Sequence, residues 1–364
     1  MKKLCIVPFT AREIPLLDLL KKQYSIESLV SPKGIGLDGE DVSVLINCQK
    51  IGSSITNEVN QSIKRCDTVI VTEVEKEMMS LRTYALTALR CAIDEGKEVY
   101  CYLDLEDNEK KEMEQLCKDS GAKLIINSDN EIEAFEDEEN LNLFKFETPI
   151  LYFCEEVPDC DGYSVFLKLT QQLQDRGKSV LAVSSDRYNE LIGQKYLNFD
   201  AKASITSQLY RINFFVHDLE QRNHPDIIFI KLPYPLMRYN DENVFDCGVS
   251  AFLTAQAVPG DGCIYCSHAA PLTVDVWDTY SRSILTKFGY PIVAVHISNR
   301  LIDNSGNDSL GVVRIPQQEI LKRLDGLRYS TTIPFYHLLI NEQIEELGEY
   351  IISEFLDLPY GVIK

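Results

Sequence analysis

The residues with the clearest chemical meaning lie between Thr148 and Ser185. Pro149–Cys154 (PILYFC) reads as a buried strand, Glu155–Gly162 (EEVPDCDG) as a polar turn, Tyr163–Arg176 as an amphipathic helix, and Ser179–Ser184 (SVLAVS) as the next strand. Strand, loop and helix in that order are the layout of a phosphate-binding loop. Such a loop needs glycines, so that its backbone can wrap the phosphates, and a lysine for the β/γ-phosphates. When Gly162-Tyr163-Ser164 is set on the terminal Gly-Lys-Ser/Thr of that motif, Val157 stands for the first glycine and Tyr163 for the lysine. Only Gly162 and Ser164 survive. The loop also carries Glu155, Glu156, Asp159 and Asp161, whose charge would repel phosphate and could instead attract a divalent cation.

A second departure points the same way. Asp226–Ile230 (DIIFI) is an apolar strand that in a nucleotide hydrolase would end in the acid that helps hold Mg²⁺. Here Lys231-Leu232-Pro233 follows. Lys231 either reaches back to a bound phosphate or snorkels at the strand end. The reading is a nucleotide-enzyme scaffold without its nucleotide chemistry. No cofactor is expected, with ATP and Mg²⁺ as the alternative.

Other chemistry-bearing residues are weaker signals. Cys263-x-x-Cys266-Ser-His268, with Cys247 nearby in sequence, supplies soft metal-ligand types, but the pair falls in a predicted strand, where its two members face opposite sides. The expectation is core cysteines and no metal. The strand also removes the helix N-terminus that a redox Cys-x-x-Cys needs. Of five histidines, His268 and His296 follow or end predicted strands of a parallel sheet, where ligands bind. Gly34-x-Gly36-x-x-Gly39 has the spacing of a dinucleotide fingerprint but follows no strand directly and opens no helix.

These residues need elements to position them. Strands alternate with helices along the whole chain, for example Thr68–Thr72 before a helix from about Glu77 to Glu95, and Gly262–Ser267 before Thr273–Phe288. That alternation predicts parallel sheets covered by helices. Val42–Ile46 reads as a further strand, Glu13–Gln23 as a helix and Leu301–Gly311 as a polar loop. The 364 residues suffice for two domains. The acidic stretch Ser128–Asn142 marks the composition shift between them. The expected division is 1–147, a Rossmann-like α/β domain, and 148–364, a degenerate phosphate-loop α/β domain.

Lys and Arg total 36 against 56 Asp and Glu, a formal charge of −20. This argues against nucleic acid and anionic membrane surfaces and permits a basic partner segment. There is no membrane-length apolar run, and the opening MKKLCIVPFTAREIP reads as a first strand rather than a signal peptide, so the expectation is cytoplasmic. Eleven cysteines, an odd number, fit a reduced chain better than a disulfide framework.

With these residues in view, the C-terminal half resembles the dethiobiotin-synthetase-like branch of phosphate-loop proteins: TPILYFCEEVPDCDGYSVFLKLTQQLQDRGKSVLAVSS is similar to their strand, loop, helix and second strand, and HPDIIFIKLP to the strand before their nucleotide site. Val157, Tyr163 and Lys231 depart from that pattern, so no catalytic residue is carried over. By length and two-domain layout the whole chain resembles the clostridial peptide maturation system proteins. The resemblance implies an accessory or scaffold role in maturing a ribosomally synthesised, post-translationally modified peptide, with the precursor peptide or a radical modifying enzyme as partner and a homo-oligomer possible in principle. The expected binding crevice comprises Glu155, Glu156, Asp159, Asp161, Gly162, Tyr163, Ser164, Lys231 and His268, extending to Leu236. The alternative is a nucleotide- or metal-dependent ligase or transferase with a rebuilt site.

Overall fold

The computed structural model describes residues 1–33, 38–45, 52–74, 79–126, 142–158, 160–199, 203–238, 246–269, 273–303, 311–328 and 332–357. Asp159 and most of the Gly34–Gly39 motif lie outside the described residues, as does the 128–141 part of the acidic stretch. The chain forms two compact units, Met1–Asn130 and Glu131–Lys364. Each is an α/β unit built on an all-parallel main sheet.

The first unit has strands β1 (Lys2–Val7), β2 (Tyr24–Val30), β3 (Ile55–Thr56), β4 (Thr68–Val71), β5 (Glu98–Cys101) and β6 (Lys123–Ile126), and helices α1 (Leu17–Leu20), α2 (Val59–Arg65), α3 (Met79–Asp94) and α4 (Asp107–Ser120). Its sheet order, β3-β2-β1-β4-β5-β6, is the doubly wound order of dinucleotide-binding folds. β4 (TVIV) is buried throughout because helices cover both faces of a parallel sheet. Two local readings change. Val42–Leu45 is a 3₁₀ turn, not a strand. Glu13–Gln23 is broken: Ala11–Leu16 is 3₁₀, capped by Thr10 and Glu13, and only α1 is α-helical. Pro15 lacks the N–H that a continuous helix would use.

The second unit has strands β7 (Ile150–Glu155), β8 (Val180–Ser184), β9 (Lys195–Tyr196), β10 (Ile227–Lys231), β11 (Gly262–Ser267), β12 (Ile292–Ile297), β13 (Arg300–Asp303), β14 (Gly311–Arg314) and β15 (Phe335–Tyr336). Its helices are α5 (Gly162–Asp175), α6 (Ile205–Asn223), α7 (Val249–Ala257), α8 (Val274–Phe288), α9 (Gln317–Arg328) and α10 (Asn341–Ile351). The main sheet runs β15-β12-β11-β7-β10-β8-β9. β13 and β14 form an antiparallel pair where a plain loop was expected at Leu301–Gly311.

This unit begins before residue 148. Phe144 N–H donates to Asn213 Oδ1 at 2.8 Å, and Glu147 and Thr148 N–H donate to Glu220 Oε1 at 3.1 and 2.9 Å. Phe144 also stacks on His217, with centroids 4.0 Å apart. The segment 142–147 is thus held on α6 by buried polar side chains, whose cost of burial these backbone donors offset.

The pleat of β7 sorts the site. Ile150, Tyr152 and Cys154 belong to the core under α6, α7 and α8. Phe153 meets Phe166 of α5 and Phe229 of β10, on the other face. Continuing that alternation sends Glu155 towards α5 and Glu156 towards α8.

Candidate functional site

β7 sits between β10 and β11, and the connections leaving β7 and β11 run in opposite directions along the sheet, to β8 and β12. A switch of this kind opens a crevice at the carboxyl ends of the strands. The chain reaches it with its backbone still hydrogen-bonded to both neighbouring segments. Glu156 N–H donates to Cys266 O at 2.8 Å, while Leu236 and Met237 N–H donate to Glu155 O and Glu156 O at 2.8 and 3.0 Å. The backbone thus stays laddered on both sides through Glu156, and its carbonyls and amides are committed to neighbours.

Glu155 occupies the entrance to α5. Its Oε1 accepts from Gly162 N–H at 3.0 Å, and its Oε2 pairs with Lys231 Nζ at 3.0 Å, both side chains being largely buried. A helix N-terminus attracts an anion because its first N–H groups are unpaired and its dipole is positive there. Here the chain supplies that anion from its own preceding strand. Gly162 is required by the same contact, since a Cβ on it would lie 2.5 Å from Glu155 Cγ and 2.7 Å from Cδ. Lys231 follows Phe229 on the α5 face of β10, so it neither snorkels to solvent nor stands free for a phosphate.

The other two described carboxylates are also matched. Glu156 is buried and accepts from Ser267 Oγ, from Tyr280 OH at 3.1 Å and from His268 Nδ1 at 3.2 Å. Burial pushes its carboxyl up, but the His268, Ser267 and Tyr280 donors outweigh this and hold it below the usual range. Asp161, with φ at 63°, receives Ser298 Oγ and His296 Nε2 (3.5 Å) and lies 3.6 Å from the Arg300 guanidinium. Burial again pushes up, and His296, Arg300 and Ser298 together bring the carboxyl far below the usual range. Leu338 N–H donates to His296 Nδ1 at 2.9 Å, which leaves the ring proton on Nε2, towards Asp161.

Tyr163, in the place of the phosphate-loop lysine, donates its hydroxyl to Asn189 Oδ1 at 2.9 Å; Asn189 is buried and donates to Lys195 O at 3.0 Å. The tyrosine therefore ties α5 to the segment after β8. Ser164 is half-buried in the first turn of α5. Cys263 and Cys266 are both buried in β11, three residues apart and so on opposite faces. Burial raises both thiols well above their ordinary value. Cys247 is exposed. Among the described residues no three His, Cys, Asp or Glu side chains are grouped to hold a metal ion.

The structure brings Glu155, Gly162 and Lys231 into one cluster, and Glu156 and His268 into another. Asp161 forms a third with His296. Ser267, Tyr280, Ser298, Arg300 and Asn189 complete these clusters and were not anticipated. The polar triplet Ser298-Asn299-Arg300 directly after an apolar strand was a legible signal; Tyr280, in the middle of a helix, carried none.

The chain shares its fold with a DUF1611 family protein. That protein, from Anabaena variabilis, matches with a TM-score of 0.65 over 97% of this chain and 100% of its own, at 10% identity. Such a likeness speaks to fold alone, and it covers both units. Cobyrinic acid a,c-diamide synthase from Mycobacterium smegmatis, solved with bound ADP and magnesium, matches at a TM-score of 0.36 and 8% identity over 58% of this chain and 96% of its own, too slight a likeness to bear on chemistry. No protein-family model matches the chain, and no curated protein matches it in sequence. In the second unit a strand, a turn and a helix follow one another at β7–α5, and the Glu155 carboxylate lies at the N-terminus of that helix. No helix among the described residues is long and apolar enough to cross a membrane.

Proposed function

We propose that the protein is an accessory or scaffold protein in the maturation of a ribosomally synthesised, post-translationally modified peptide, and that it works without hydrolysing nucleotide. The observation that carries the nucleotide-free half is Glu155. A carboxylate bonded to Gly162 N–H and paired with Lys231 stands where a phosphate would have to enter, and like charges at that range repel. The peptide half is supported by the resemblance in length and layout and by the formal charge of −20, which suits a basic segment of a precursor peptide or modifying enzyme.

The partner would meet the strand-end crevice between Glu155–Ser164, Lys231–Leu236 and His268. The test is binding of the fluorescently labelled precursor peptide, or of the purified modifying enzyme, with and without Mg-ATP. The reading expects saturable binding that nucleotide does not alter. Absence of binding to either partner, or binding that requires Mg-ATP, would overturn it. One observation favours a second reading, an enzyme with a rebuilt site: a buried Glu156 paired with a partly accessible His268.

A further inference from the structure

Three histidines stand at strand ends of the second unit, and two of them are buried. His296 is buried with one nitrogen towards Asp161 and the other accepting from Leu338 N–H. His337 is buried and its Nδ1–H donates to Ile297 O at 2.8 Å. His268 differs. It lies one residue beyond β11, its side chain is 21% exposed, and its Nδ1 faces Glu156 Oε2. Among the described residues Nε2 has no partner.

An ionised carboxylate can only accept, so Nδ1 must carry the ring proton. The Nε2 lone pair is then left open. Glu156 is itself fixed by Ser267 and Tyr280, so the ring is held in one tautomer and one orientation. A carboxylate behind an imidazole also stabilises the imidazolium formed when the far nitrogen takes up a proton. This arrangement is independent of the Glu155–Lys231 pair, which lies on the opposite face of β7.

We propose that His268 Nε2 is a proton-accepting site, and that the crevice takes a ligand presenting a protic nucleophile, a hydroxyl, thiol or amine, to it. In the step, the X–H bond of the ligand breaks, its electron pair stays on X, and the proton passes to Nε2. The imidazolium charge is balanced by Glu156, and no further reactant is needed. This goes beyond the scaffold role and does not depend on a peptide being the ligand.

The test is site-resolved acylation of the full-length protein by diethyl pyrocarbonate at pH 8, followed by peptide mass spectrometry. The reagent reads an unprotonated, reachable ring nitrogen. His224, an exposed residue ending α6, is the internal reference. The expected result is that His268 reacts at least as fast as His224 although it is more covered, and that E156Q, which removes the charge behind the ring, slows His268 about threefold without slowing His224. A His268 rate tenfold below that of His224, or an E156Q variant with an unchanged ratio, would overturn the proposal. Should E156Q not fold, ring ¹⁵N shifts of the wild-type protein decide. In the neutral ring the Nδ1–H tautomer is expected, and a neutral Nε2–H tautomer would refute the assignment.

Discussion

Gly162→Ala tests the filled cradle from its own geometry. The added Cβ would sit 2.5 Å from Glu155 Cγ, whereas carbon atoms rest at about 3.5–4.0 Å. The Glu155 side chain must therefore move by roughly 1 Å, which breaks its bond to Gly162 N–H and its pairing with Lys231. Overpacking costs about 1–3 kcal/mol, and disturbing the hydrogen bond and ion pair brings the total to about 3 kcal/mol. Glu155→Ala costs about 2–3 kcal/mol by itself, since Lys231 and Gly162 N–H lose their partner. In the E155A background the clash is gone, and Gly162→Ala should be neutral or gain up to about 0.5–1 kcal/mol, because φ at 162 is not positive and alanine favours a helix. The double-mutant cycle should then show a coupling of about 3 kcal/mol. The assay is urea unfolding followed by the fluorescence of Trp277. It is the only tryptophan of the chain and is a fully buried residue of α8, so it reports the second unit alone. With an m-value of about 2–3 kcal/mol per M, G162A lowers the midpoint by about 1 M. Additive effects of the two substitutions, or a G162A midpoint unchanged from wild type, would refute the reasoning.

Further outcomes follow from neighbouring residues. Tyr163→Lys restores the missing lysine of the phosphate loop but leaves Glu155 in place, so binding of Mg-ATP stays undetectable by calorimetry. Tyr163→Phe loses the hydroxyl bond to Asn189 and costs about 1 kcal/mol in the same urea assay. Burial, with the nearby His296, pushes His337 down to about 4. The unfolded chain therefore takes up the extra proton first, below its ordinary value near 6.5. The stability this histidine contributes is whole above about pH 6.5 and declines as pH falls towards 4, by at most about 3 kcal/mol. His337→Asn, which can keep a donor towards Ile297 O, flattens that stretch of the stability–pH profile. Asp161→Asn removes the charge facing Arg300 and costs about 3 kcal/mol, seen as a lower Trp277 midpoint.

The fold was largely legible because its signals are periodic. Runs such as PILYFC and IIFI are apolar at every position, which only a strand covered on both faces requires, and polar turns punctuate them. The short strands were not legible: β3, β9 and β15 have two residues each and depend on a neighbouring strand rather than on their own composition. Val42–Leu45 has a strand's residues but turns into a 3₁₀ helix, since β-propensity yields to tertiary context. At the site, a tyrosine at 163 and a lysine at 231, where a phosphate loop would carry a lysine and an acid, could be read directly. What replaced them could not. Glu155 and Lys231 are separated by 76 positions, and only the pairing of β7 with β10 makes them neighbours. The acidic loop read as a phosphate-repelling surface because charge was visible and its partners were not: Tyr280, Arg300 and Ser298 arrive from distant elements.

The central claim is that the phosphate position is taken by the chain itself. Its most direct measurement is thermal unfolding of the wild-type protein, followed at Trp277, with and without millimolar Mg-ATP, Mg-GTP and NAD. A ligand at about 100 times its Kd adds about 2.7 kcal/mol, several degrees in midpoint. The account predicts superimposable transitions with Mg-ATP and Mg-GTP. A reproducible upward shift of the Trp277 transition with either nucleotide would contradict it.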